Sequence, residues 1–245
     1  MLKLFVRSLA LCAIVAGALT AKAAVVTVDP GADWIGYMKV YSLPSAGGGF
    51  IFGSAWGTAD LVAQFSGSTL TLAPNSIGDP NPFWYTPVGG PGATGSKIFD
   101  AAMYVEPPAG TYAGQTLTFN GNVLANTLVG HADANGNGWT AAVFIRDFAS
   151  DYSSGTQTII PLVNGVFSIS LATVNDPTRH VQYGFETIGP DVWITDAAAY
   201  GQIDITGDSG PSAAVPEPSQ WAMVGVTLLA GVGVAMHQRR RRTAA

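Results

Sequence analysis

Fifteen of the 16 carboxylates lie between Ala24 and Ala214. His131 and His180 are the other side chains of that stretch that could carry a proton near neutral pH. Hydrolysis of a glycoside needs two carboxylates facing each other across the scissile bond, and Asp100 with Glu106 or Asp147 with Asp151 are pairs near enough in sequence to consider. Other hydrolytic chemistries lack their residues. The two histidines do not stand at a zinc-binding spacing, no Gly-x-Ser-x-Gly turn occurs, and the single cysteine, Cys12, lies outside this stretch. Carboxylates this numerous are expected to be a solvated acidic surface, so no catalytic residue is assigned and the expectation is a protein that is not an enzyme.

Two further segments could bind. In Asp133-Ala134-Asn135-Gly136-Asn137-Gly138, oxygen-bearing side chains fall at positions 1, 3 and 5 of a calcium loop and glycine at 6, a spacing that lets one tight turn aim Asp133, Asn135 and Asn137 at a hard cation. Position 12 falls on Phe144, which cannot ligate, so Asp147 or Asp151 would have to bend back to complete the shell. The same residues also serve a hairpin turn before Trp139. Calcium is therefore a candidate ion only, and no other cofactor is expected. In Pro80-Asn81-Pro82-Phe83-Trp84-Tyr85-Thr86-Pro87, three consecutive aromatics sit in a long loop that runs on into the glycine-rich Val88 to Gly95. Sugar rings stack their C–H faces on aromatic rings, so Phe83, Trp84 and Tyr85 are candidate glycan contacts. The alternative is that they cover a sandwich edge as a small satellite core. Trp34, Trp56, Trp139 and Trp193 stand in or beside predicted strands and are read as core.

Whatever these residues do, strands must position them. Short runs rich in β-branched and aromatic residues recur between Gly, Pro, Asn and Asp clusters. They predict strands near 25–28, 34–41, 50–55, 60–65, 68–73, 97–105, 115–123, 139–147, 156–162, 166–171, 181–188, 191–195 and 200–206. Alternation is clearest in Gln115–Val123 and Phe167–Leu171. Turns are expected at Ser66-Gly67-Ser68, Val163-Asn164-Gly165 and Ile188-Gly189-Pro190-Asp191. The absence of a helical period between the strands predicts an all-β, antiparallel, jelly-roll-like sandwich over residues 24–208. The stretch from His180 through Trp193 to Ile205 resembles the last strands of galactose-binding-like jelly-roll modules, and the resemblance implies that fold.

Both ends carry sorting information. Lys3 and Arg7 precede an apolar run from Ser8 to Leu19, and Ala21-Lys22-Ala23 offers small residues to a signal peptidase, which predicts a signal peptide over residues 1–23. At the other end a linker (209–220) containing Val215, Pro216, Glu217, Pro218 and Ser219 leads into an uncharged run that opens at Trp221. The run predicts a short transmembrane helix over 221–238. Arg239, Arg240, Arg241 and Arg242 follow at once in a basic cytoplasmic tail, 239–245. At about 1.5 Å per residue the helix barely crosses a hydrocarbon core of about 30 Å, and the arginine cluster keeps its own side in the cytoplasm. The Pro-Glu-Pro motif, brief apolar helix and arginine run, in this order, resemble the PEP-CTERM sorting signal of exported bacterial proteins. The resemblance implies recognition by exosortase, a membrane-embedded protease or transpeptidase of Gram-negative bacteria that make extracellular polysaccharide. Val215 to Ser219 would then be substrate residues.

Seven of the eleven basic residues belong to these ends. The exported stretch keeps Lys39, Lys97, Arg146 and Arg179 against its fifteen acids, a net charge of −11. Nucleic acid is excluded as a partner on that ground, because phosphate binding requires clustered Lys and Arg. The expectation is an exported surface or extracellular-matrix protein, anchored as a precursor in the inner membrane and processed by signal peptidase and exosortase. Its role is read as structural or adhesive beside extracellular polysaccharide. A carbohydrate-binding module is the alternative, and a glycoside hydrolase a third reading.

Overall fold

Along Gln115–Val123 every second side chain turns inward, and in the computed structural model Leu117, Phe119 and Val123 are buried while Thr116, Thr118 and Asn120 are not. Residues 22–128 and 138–207 are described here. The strands are β1 (Lys22–Thr27), β2 (Trp34–Ser42), β3 (Phe50–Trp56), β4 (Ala63–Ser66), β5 (Thr69–Leu72), β6 (Tyr85–Thr86) and β7 (Thr94–Gly95). They continue with β8 (Lys97–Val105), β9 (Gln115–Asn126), β10 (Thr140–Phe148), β11 (Gly155–Pro161), β12 (Gly165–Ala172), β13 (His180–Pro190) and β14 (Ile203–Thr206). Among the described residues no α-helix occurs, and no helix is long and apolar enough to cross a membrane.

Two six-stranded sheets face each other. One runs β11-β10-β13-β8-β2-β3 and is antiparallel throughout. The other is built on β9. Along one edge β9 carries β12; along the other it carries β1 beside Gln115–Asn120 and β14 beside Asn122–Asn126, with β5 and β4 beyond β14. The β1–β9 pairing is parallel, a departure from the antiparallel expectation. It holds Val25 and Val26 against the first half of β9, and Lys22 and Ala23, just before the expected cleavage point, pair with Gln115 and Thr116.

Inward residues of both sheets form one core. Phe119 lies 5.5 Å from Phe185 and 5.1 Å from Tyr183 of the opposite sheet, and 5.6 Å from Phe167 of its own. Met38, Val40, Phe99, Ile145, Leu70 and Ile203 fill the space around them with no exposed surface. Burial of each such side chain contributes about 1.5–3 kcal/mol before its ordering entropy is charged against it. At Tyr183, burial pushes the phenol up to about 12 and keeps it neutral.

The expected strands appear with end shifts of a few residues, with two corrections. The predicted strand at 191–195 is irregular chain, because β13 runs on to Pro190, paired with Ile98, through the Gly-Pro dipeptide expected to turn. Gly189 is required for packing: a Cβ there would come within 2.2 Å of the Trp139 ring, whose Nε1 donates to Pro190 O at 3.1 Å. The second correction is the short β6–β7 ladder, which folds the long aromatic loop back on itself.

Candidate functional site

The three aromatics of that loop go to three different places. Phe83 is the exposed one, with the Lys97 ammonium 4.2 Å from its ring centre and Lys97 Nζ donating to its carbonyl at 2.6 Å. Trp84 is half-buried and packs edge-on against Phe52 (6.2 Å) and Phe99 (5.8 Å) at the rim of the main core. Tyr85 has no exposed surface. Its hydroxyl donates to Ile77 O at 2.7 Å and accepts from the Ile77 N–H at 3.0 Å, and burial raises its pKa. Trp193 meets it edge-on at 5.4 Å. Phe83, Trp84 and Tyr85 therefore do not share a flat face for a sugar; Trp84 and Tyr85 pack.

The far limb of the same loop builds a concave site instead. Gly92, Ala93, Thr94 and Gly95 stand across from Pro190, Asp191 and Val192 and from the turn that carries Thr195 and Asp196, and enclose a cleft of about 470 Å³. Trp139 and Tyr200, their ring centres 4.6 Å apart and planes at 40°, supply an aromatic wall. Tyr200 closes the one-turn 3-10 helix Ala197–Tyr200, which follows the turn. Asp196 Oδ2 accepts from the Gly92 N–H at 2.6 Å and ties the lip of the loop to that turn.

Asp191 is the unusual wall residue. It is 1% exposed, sits one residue past β13, and extends the pairing with β8: its N–H donates to Lys97 O and its Oδ1 accepts from the Lys97 N–H, both at 3.0 Å. Its Oδ2 is buried with no partner. Burial pushes this carboxyl up to about 7, against the opposing pull of the Lys97 N–H and the Lys97 charge. Gly95 makes the approach possible, since any side chain there would collide with the Asp191 carbonyl and carboxylate. Among the described residues no Lys or Arg lines the cleft.

The carboxylates proposed as facing pairs are engaged elsewhere. Asp100 pairs with Lys39 at 2.9 Å, whereas Glu106 accepts from Tyr152 Oη (2.6 Å) and Gln182 Nε2 (2.5 Å) and meets His180 Nδ1 at 3.1 Å. Asp147 is wholly buried, its two oxygens taken by Arg179 Nε (2.7 Å) and the Val174 N–H (2.8 Å). Asp151 caps its own turn through Ser153. Neither pair faces across a shared space, and Asp147 and Asp151 are held where they are by these partners. Glu186, bound to Arg146, is also buried. The solvated-surface reading of the acids is thus corrected for Asp100, Asp147, Glu186 and Asp191.

Asp133, Asn135 and Asn137, Val215 to Ser219 and Arg239 to Arg242 lie outside the described residues. Among the described residues no group of three or more His, Cys, Asp or Glu is arranged to hold a metal ion. No protein-family model matches this chain, and no curated protein does.

Proposed function

We propose that this is an exported, non-enzymatic protein of the PEP-CTERM type, sorted through its tail by exosortase and serving a structural or adhesive role within the polysaccharide-rich surface or matrix of a Gram-negative bacterium. The observation that carries the reading is the order Pro216-Glu217-Pro218, uncharged run from Trp221, Arg239 to Arg242 at one end of a chain whose other end has the pattern of a signal peptide. The two-sheet sandwich supports it, because the chain passes repeatedly from one sheet to the other, as in a jelly roll, and its described residues close one core without disulfides. In this reading the tail is a transient anchor in the inner membrane, and Val215 to Ser219 are what the processing enzyme reads.

The test is fractionation of cells with and without the sorting protease. Protease-positive cells are expected to release a shortened protein to the surface or medium, and protease-negative cells to hold a longer form in the inner membrane, as is Glu217→Ala in the positive strain. Equal distribution and equal length in both strains overturns the proposal.

A second reading, a carbohydrate-binding module, is favoured by one observation: a cleft of about 470 Å³ lined by Thr94, Thr195 and Asp196.

A further inference from the structure

We propose that the outer face of the first sheet, across β2, β8, β13 and β10, binds an uncharged polysaccharide chain along a track of three tyrosines, Tyr37, Tyr104 and Tyr152. This rests on the carbohydrate-binding reading and adds a surface apart from the cleft.

Alternation puts the track outside. Met38, Met103, Phe185, Val143 and Ile145 point into the core, so Tyr37, Tyr104, Glu186 and Arg146 stand on the opposite face of the same sheet. Tyr37 pairs across with Ala102 and Ala102 with Glu186, so a small side chain separates the tyrosine from the Glu186–Arg146 pair. Tyr104, two residues along β8 from Ala102, is the diagonal neighbour of Tyr37. Glu106 comes next and accepts from Tyr152 Oη at 2.6 Å, which brings in the third ring from the β10–β11 turn.

These rings are open. Tyr37 and Tyr104 are half-buried, and among the described residues no ring packs on either and no partner bonds their hydroxyls. Tyr37 leans over Gly53, where a Cβ would come within 2.7 Å of its hydroxyl, so a glycine is what lets the ring lie toward β3. Tyr152 is 47% exposed; His180 stacks on its ring at 4.6 Å and 25° and leaves the other side to solvent. Its backbone sits at φ 58°, a left-handed conformation that a tyrosine adopts at a cost, and strain held at an exposed ring points to a role for its position.

Three features select the ligand. Tyrosine offers a ring face to the C–H groups of a sugar and a hydroxyl to its oxygens, and burial, then Glu106, raise the Tyr104 phenol and keep it a donor at neutral pH. Charge is balanced: Lys39 pairs with Asp100 and Arg146 with Glu186, while both oxygens of Glu106 are taken by Tyr152, His180 and Gln182. Neither a uronate nor an ammonium-bearing sugar finds an unpaired counter-charge there. The track crosses four strands at a spacing of about 4.8 Å, a reach that suits a chain rather than a single sugar.

The experiment is affinity electrophoresis of the full chain, held in non-ionic detergent, through native gels containing an uncharged β-glucan, an uncharged galactomannan or alginate, a polyuronate. Tyr152→Gly removes the exposed ring while relieving its backbone, Tyr37→Ala removes the ring at the other end, and Leu124→Ala, exposed on the opposite sheet, is the control. Thermal melts verify that each is folded. The expected result is retardation of the parent and of Leu124→Ala by at least one uncharged polymer and not by alginate, with apparent affinity about tenfold weaker in both tyrosine variants. Full retardation of either folded tyrosine variant overturns the track and leaves carbohydrate binding standing. Retardation by alginate alone overturns the ligand class, and no retardation by any polymer overturns the track and the carbohydrate-binding reading together.

Discussion

Arg179 Nε lies 2.7 Å from Oδ1 of Asp147, and the Asp147 side chain is entirely shielded from water. The same guanidinium donates through Nη2 to Asp147 O at 2.8 Å, so one side chain from the loop before β13 meets both the carboxylate and the backbone near the end of β10. Removal of the cation leaves a buried charge uncompensated. Arg179→Met is expected to destabilise the domain by about 3–5 kcal/mol, and the double variant with Asp147→Leu to recover a large part of that loss. Urea denaturation of the four proteins of the cycle measures it; simple additivity of the single changes would contradict the pairing.

Asp191 predicts a pH dependence of opposite sign to the usual carboxylate. Its folded pKa, about 7, stands well above the 3.8 of a free aspartate side chain. Between those values the folded state holds more protons than the unfolded one, so stability from this group is present in full below about 4 and is lost as pH rises toward 7. Relative to Asp191→Asn, the parent should lose on the order of 1 kcal/mol per pH unit within that window and nothing further above it. Chemical denaturation from pH 4 to 8 checks the slope, and a constant difference between the two proteins would refute it.

Phe83 and Trp84 are neighbours with different duties. Trp84→Ala opens a hole beside Phe52 and Phe99 and should cost about 2–3 kcal/mol, less than a fully buried tryptophan because its ring is half-exposed. Phe83→Ala should cost under about 1 kcal/mol, the worth of an exposed contact with Lys97. Equal losses would mean that the loop does not sit as described.

Val62 occupies the left-handed region, φ 52°, where a β-branched side chain is strained. Val62→Gly is expected to raise stability by about 1 kcal/mol, the relief of strain outweighing the loss of a half-buried side chain. A lower melting temperature would show that the valine's contacts dominate.

The sequence made the strands legible where one face is wet. Gln115–Val123 and Phe167–Leu171 alternate because β9 and β12 bury a single face, and the turn at Gly67 (φ 59°) follows from the residue type that such a turn requires. Pairing was less accessible. The parallel docking of β1 on β9 depends on contacts about ninety residues apart, and nothing local in Val25 or Val26 encodes it. Gly189-Pro190 has the local chemistry of a turn, yet the glycine exists to admit the Trp139 ring and the strand continues through it. The cleft was hidden for the same reason. Asp191 looks like any loop aspartate until Lys97, 94 residues earlier, and the missing side chain of Gly95 are brought against it.

Export and tail processing would leave their mark on the intact mass and terminal sequences of the protein recovered from the surface or matrix of cells that carry the sorting protease. The recovered chain is expected to begin at Ala24 and to end within Val215 to Ser219, without the apolar run and Arg239 to Arg242. A full chain from Met1 to Ala245, found soluble in the cytoplasm, would contradict it.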